Sequence, residues 1–123
     1  IKNEITRFQT ATGIAVEFKI SIPYELSPLY MEHTLHIVRE CLTNIARHAE
    51  AQHVQLEFDT EEDSVCIRVT DDGRGMDTIQ IGKQPGHYGL LGMNERVRIM
   101  NGQMNIVPNK PHGTMIEIEI PLR

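Results

Sequence analysis

Apolar and polar residues alternate with a period of two along five stretches of the chain. In IAVEFKI (14–20), Ile14, Val16, Phe18 and Ile20 fall on one side and Ala15, Glu17 and Lys19 on the other. HVQLEFD (53–59) repeats the pattern through Val54, Leu56 and Phe58, and SVCIRVT (64–70) through Val65, Ile67 and Val69. MNIV (104–107) is a short example, and TMIEIEI (114–120) places Thr114, Ile116, Ile118 and Ile120 together. Period two with one polar face predicts half-buried, mostly antiparallel strands. TEED (60–63) and PNKPHG (108–113) are the turn-forming connections between neighbouring pairs.

Two stretches change to helical spacing. From about Ser27 to His48, Met31, Leu35, Val38, Leu42 and Ile45 recur at three- and four-residue steps. Ser27 is suited to an N-cap and Pro28 to the first helical position. From about Leu90 to Asn101, Met93, Val97 and Met100 form a second stripe, ended by Asn101-Gly102. Ile1, Ile5 and Phe8 share helical spacing too, so residues 1–12 are expected to be the tail of an upstream helical or linker region. The long irregular segment runs from Met76 to Tyr88.

A sheet with one polar face must cover its apolar face with helices. The expected class is therefore α+β, a two-layer α/β sandwich with a mixed, mostly antiparallel sheet of about five strands. At 123 residues the chain is expected to be one domain over 1–123, able to bury roughly two-thirds of its unfolded surface. Composition is ordinary for a soluble domain, at 40% hydrophobic and 24% charged. A formal net charge of −5 gives no nucleic-acid footprint, although backbone amides can still hold phosphates. No apolar run approaches a membrane span, and no signal peptide is expected in these residues. Cys41 and Cys66 lie in apolar patterns, which predicts buried free thiols in a reducing compartment. The chain begins at Ile1 and is expected to be part of a longer protein.

The strand ending at Thr70 runs into DDGRGM (71–76). Continuing its alternation turns Asp71 toward the helices and Asp72 away. A carboxylate at the end of a buried strand is costly unless hydrogen-bonded. One use for it is to accept a hydrogen bond from an amino group such as that of adenine; the other is an Asx-turn that merely caps its own loop. Thr114 points into the same gap from the last strand, and Gly73 and Gly75 let backbone pass close to a flat or phosphorylated ligand.

On the long helix, Glu40, Asn44 and Arg47 lie within about 60° of one another, roughly opposite the apolar stripe, with His48 at the edge. A solvated face would account for them. The alternative is chemical: Asn offers a neutral oxygen to Mg²⁺, Glu takes a proton or orients a metal-bound water, and Arg reaches phosphate oxygens. GHYGLLGM (86–93) then runs a glycine-rich segment into a helix whose first amides could hold phosphate. Its spacing fits neither a P-loop nor the dinucleotide fingerprint.

Taken together, these pieces resemble the ATP-binding domain shared by DNA gyrase B, Hsp90, histidine kinases and MutL. HIVRECLTNIARHAE resembles its N box, DDGRGM its G1 box, YGLLGMNERV its G2 box and HGTMIEIEIPL its closing Gly-Thr strand. The match covers residues 14–122 in the family's order, and its wording resembles the NarX- and DesK-type sensor histidine kinases. The resemblance implies a Bergerat-type fold binding ATP and Mg²⁺. It makes Asn44 the Mg²⁺ ligand and Glu40 the acidic catalytic position, able to reach the metal through water. Arg47 and His48 become the basic residues near the phosphates, and Asp71 the acceptor of the adenine amino group. Gly73, Gly75 and Met76 become the G1 contacts, Gly89, Leu90 and Gly92 the G2 contacts, Thr114 the residue beside adenine, and 76–88 the ATP lid.

The resemblance further implies a protein histidine kinase. None of the six histidines sits in an acceptor-like pattern, so the acceptor His would lie on a separate upstream dimerisation domain. The phosphoryl group would pass on to an Asp of a response regulator. The whole protein would be a membrane-attached homodimer, with this domain cytoplasmic and monomeric in isolation. Three other readings share the pocket: an anti-sigma-factor-type serine kinase with a hydroxyl acceptor, a gyrase- or Hsp90-like ATPase with Glu40 as base for water, and a degenerate nucleotide-binding module. Intact Glu40, Asn44, Asp71 and glycines argue against the last.

Overall fold

The computed structural model describes residues 2–21, 27–61, 63–73, 88–108 and 112–121. Five strands form one sheet: β1 (Ala15–Ser21), β2 (His53–Glu61), β3 (Ser64–Asp71), β4 (Gln103–Pro108) and β5 (Thr114–Pro121). Their spatial order is β1-β2-β3-β5-β4. β1 runs parallel to β2, while β2–β3, β3–β5 and β4–β5 are antiparallel. Three α-helices lie against it among the described residues: α1 (Lys2–Thr12), α2 (Pro28–Asn44) and α3 (Tyr88–Ile99). The expected α+β sandwich with a mixed, mostly antiparallel sheet is therefore present.

Strand parity decides what is buried in β2, β3 and β5; the expected half-burial of β1 needs correction, because Phe18 and Ile20 on its apolar side are exposed. Leu56 pairs with Val69 and Phe58 with Ile67 across β2–β3, and Val69 pairs with Ile116 and Ile67 with Ile118 across β3–β5. All of these side chains are in the core. Burying a side chain of this size contributes about 1.5–3 kcal/mol, so slipping one strand by a single residue would exchange several such gains for buried charges. The opposite face carries those charges. Arg68 lies between its cross-strand partners Glu57 and Glu117, at 3.6 Å and 2.8 Å from their carboxylates.

α1 belongs to the same core. Ile5 and Phe8 are buried against it, Gln9 Oε1 accepts from the Val16 amide (2.9 Å), and Arg39 of α2 donates to Glu4 (3.0 Å). α2 begins as its sequence predicts: the Ser27 hydroxyl accepts from the Tyr30 amide (3.3 Å), with Pro28 in the first turn. On α3, Met93, Val97 and Met100 are buried as the stripe requires. Both cysteines are buried. Burial pushes the Cys41 thiol up to about 12, so it is an inert packing residue, 3.5 Å from the Met93 sulfur. Among the described residues, no helix is long and apolar enough to cross a membrane.

The sequence stripe on α2 needs correction. Ile37, Val38, Cys41, Leu42 and Ile45 are buried, whereas Met31 is exposed and Leu35 only half-buried. The helix is rolled by about 50° from the orientation that Met31, Leu35, Val38, Leu42 and Ile45 define, at 100° per residue. It packs against α3 as well as the sheet, with Cys41 meeting Met93, and a stripe drawn toward one neighbour omits Ile37 and Cys41.

Candidate functional site

That roll brings the first site residue inside. Asn44, at the end of α2, is 2% exposed. It therefore sits on the flank of the buried face, not opposite it on a solvated one. Glu40, one turn earlier, is half-buried, and Arg47 is exposed. Directly after Asn44 the helix changes to a π-helical segment over Ile45–Ala49. A π-turn inserts one extra residue per turn and occurs preferentially at functional sites; it carries Arg47 and the His48 backbone. Glu50 ends it in the left-handed region (φ 53°). The α-helical spacing in the sequence contains no sign of this change.

β3 delivers the second residue. Asp71 is its last position and 3% exposed. It pairs with Val54 of β2 on one side and Thr114 of β5 on the other. The inward direction read from the strand alternation is the observed one. The Asx-turn is observed as well: the Gly73 amide donates to Asp71 Oδ1 (2.8 Å). Burial raises the Asp71 pKa, and hydrogen bonds from the Gly73 and Thr114 backbones only partly oppose that. Asp72 is turned the other way, and its carboxylate accepts from the Gln52 and His53 amides.

The closing strand shapes this corner by close approach. Gly113 lies against the Asp71 backbone at φ 108°, and a Cβ there would lie 2.0 Å from the Asp71 carbonyl oxygen. His112 Nδ1 donates to the Gly73 carbonyl (3.3 Å). Residues 71–73 and 112–114 thus form one tight unit. Gly113 was missed as a site residue by sequence reasoning. The signal for it was present, a glycine between a turn and a strand facing the end of β3.

Two buried polar atoms stand out among the described residues: Asn44 Nδ2 and Thr114 Oγ1 have no hydrogen-bond partner. Buried polar groups are nearly always satisfied, and exceptions mark strain or a missing ligand. Both belong to residues singled out from the sequence. Among the described residues, no heavy atom lies within 4 Å of where a Cβ on Gly92 of α3 would stand, so packing against them does not demand glycine there. Gly89 and Leu90 lie in the first turn of α3. Gly75, Met76 and the rest of the expected 76–88 lid, up to residue 87, lie outside the described residues, as does the His48 side chain.

The family described as histidine kinase-, DNA gyrase B-, and HSP90-like ATPase matches residues 31–123. The chain belongs to this family. It is accordingly an ATP-binding domain, and the resemblance to the family holds.

Relatives within the family include histidine kinases. The chain is 39% identical over 128 residues to a sensor histidine kinase of Bacillus subtilis, YdfH, and 36% identical over 124 residues to the histidine-protein kinase/phosphatase DegS of Brevibacillus brevis. These alignments cover 100% and 99% of the chain but 31% of each relative. The chain thus spans about a third of the curated relatives it matches. Among solved structures, the blue-light activated histidine kinase EL346 of Erythrobacter litoralis superposes with a TM-score of 0.83 at 22% identity, over 98% of this chain and 43% of that one. The mycobacterial sensor histidine kinase MprB gives 0.79 at 18% identity, over 98% and 90%. At these identities the structures attest the fold.

Proposed function

We propose that this chain is the catalytic ATP-binding domain of a two-component sensor histidine kinase. It would bind Mg-ATP between α2, the end of β3 and the start of β5. The γ-phosphoryl group would go to a histidine on a separate dimerising domain, and from there to an aspartate of a response regulator. The observation that carries the pocket is Asp71, a buried inward carboxylate whose cross-strand partner Thr114 holds a hydroxyl with no hydrogen-bond partner among the described residues. An adenine amino group donates and a ring nitrogen accepts, which suits a carboxylate beside a hydroxyl.

At the other end, Asn44 fits a magnesium ion. Its amide is buried and Nδ2 has no hydrogen-bond partner among the described residues, so these do not consume it, and its carbonyl is the hard neutral oxygen that Mg²⁺ takes. When bound, the ion supplies positive charge that neutralises the phosphates during transfer. The remaining roles fall to the chain itself. Arg47, exposed on the π-helical segment, reaches phosphate oxygens, with His48 next to it. The α3 start, with Gly89, Leu90 and the uncrowded Gly92, offers amides to the phosphate chain. Glu40 is positioned one turn before Asn44 to accept a proton or orient water. Transfer breaks the bond between the γ-phosphorus and the β,γ-bridging oxygen. It forms a bond to the imidazole nitrogen, and ADP departs. The domain contributes positioning and electrostatics to that exchange.

The test supplies a dimerising helical domain with an acceptor histidine and follows label from γ-labelled ATP beside phosphate release. The proposal expects an acid-labile, base-stable phosphohistidine, with Glu40→Gln giving a partial defect. Phosphate release without labelled protein, abolished in Glu40→Gln, would replace it with a water-activating ATPase. A labelled hydroxyl would replace it with a serine kinase.

A further inference from the structure

We propose that Asp72 is a positioning residue for the nucleotide pocket, locking the chain as it returns from the helix bearing Asn44 and Arg47 onto the strand end bearing Asp71. This rests on the pocket proposed above and adds to it a residue that touches no nucleotide.

Strand parity sends Asp72 away from Asp71, and its carboxylate is fully engaged there. Oδ1 accepts from the Gln52 amide at 2.8 Å and the His53 amide at 2.9 Å. Oδ2 lies 2.9 Å from His53 Nδ1. The Asp72 amide donates in turn to the His53 carbonyl at 3.2 Å. Four contacts thus join one residue to two consecutive ones. The β2–β3 register ends at Val54↔Asp71, so Asp72 holds the two strands together one step beyond their ladder.

What it holds is significant. Gln52 and His53 follow the π-helical segment and the left-handed Glu50, where the helix gives way to the sheet. The Gln52 carbonyl also receives the Ala15 amide (3.1 Å), so the start of β1 is tied to the same point. On its other side Asp72 is one peptide from Asp71 and followed by Gly73, which donates to the Asp71 carboxylate. Asn44 at one end of the proposed nucleotide and Asp71 at the other are therefore referred to a common fixed point. In-line transfer depends on such distances: a displacement of about 1 Å can cost about 100-fold.

The alternative is a residue that only stabilises the fold. Ligand selectivity separates the two, because loss of folded protein lowers ATP and GTP binding in the same proportion, whereas a displaced Asp71 weakens ATP alone. The experiment titrates Mg-ATP and Mg-GTP into the chain and its variants, well below each melting transition. Asp72→Ala should weaken ATP binding by roughly five-fold or more and reduce the ATP-over-GTP preference by a similar factor. Asp72→Asn keeps an oxygen for the two amides and should restore the preference to within about two-fold. Asp72→Glu retains the charge but moves it by one methylene; it should behave like the alanine variant and stands in for it if that does not fold. Wild-type ATP affinity and preference in folded Asp72→Ala, or in Asp72→Glu when the alanine variant does not fold, would overturn the proposal. If the unsubstituted chain does not distinguish ATP from GTP, the pocket reading fails first, and Asp72 has nothing to position.

Discussion

The α-carbon of Gly113 sits so close to the Asp71 backbone that a single added methyl group would lie 2.0 Å from the Asp71 carbonyl oxygen. No side chain can relieve that clash, because the atom approached is backbone. The conformation at Gly113 (φ 108°) is also one that side chains with a Cβ avoid. Gly113→Ala should therefore cost at least about 1–3 kcal/mol and push the Asp71 carboxylate out of place. Thermal denaturation and ATP titration of the variant check this together. A variant with unchanged melting temperature and unchanged ATP binding would show that the close approach does not matter.

Adjacent Asp71 and Asp72 should give opposite responses to pH. Asp72 is held down to about 2, first by the His53 amide and further by the His53 ring and the Gln52 amide. A depressed carboxylate stabilises the fold above its unfolded pKa and loses that contribution as pH falls toward its folded value. Asp72→Asn should thus flatten acid unfolding between about pH 4 and 2. The Asp71 pKa is raised, mainly by burial, so its ionised form at neutral pH opposes folding. Asp71→Asn should leave the domain at least as stable at pH 7 while weakening ATP binding. Urea unfolding of both variants across this range measures the signs, and a destabilised Asp71→Asn at pH 7 would contradict the account.

The facing residues of the central strands β2, β3 and β5 were legible because parity is a local property: one alternation through Val65, Ile67 and Val69 located Asp71 and Asp72 on opposite sides, whereas on β1 the alternation did not tell that Phe18 and Ile20 stay exposed. The helix was less so. α2 packs against both sheet and α3, so its buried arc includes Ile37 and Cys41, and the roll that buries Asn44 depends on a neighbour some fifty residues away, Met93. The π-helical segment and the left-handed Glu50 follow from how the chain must rejoin β2, which no local spacing records. Gly113 and Asp72 act through contacts with residues 71 and 52–53, and these exist only once the strands are paired.

Substitution of Asn44 should separate metal-dependent chemistry from folding. Its Nδ2 makes no hydrogen bond among the described residues, so Asn44→Ala removes no such bond there and should change stability by less than the roughly 1 kcal/mol of a lost one. Phosphoryl transfer should fall to a small residue, while metal-free nucleotide binding drops much less because the base contacts remain. Paired transfer assays and titrations with and without Mg²⁺ test this. Equal losses in both would mean that Asn44 holds the nucleotide itself.

The central claim is that the Asp71 carboxylate recognises the adenine amino group. Calorimetric titration of this chain with ATP and with GTP, both with Mg²⁺, tests it most directly, since guanine presents a carbonyl where adenine has its amino group. The account predicts micromolar to sub-millimolar ATP binding, at least about ten-fold weaker GTP binding, and a loss of about 1.5–3 kcal/mol of ATP binding in Asp71→Asn. Equal affinity for the two nucleotides, or an Asp71→Asn variant that binds ATP as the wild type does, would contradict it.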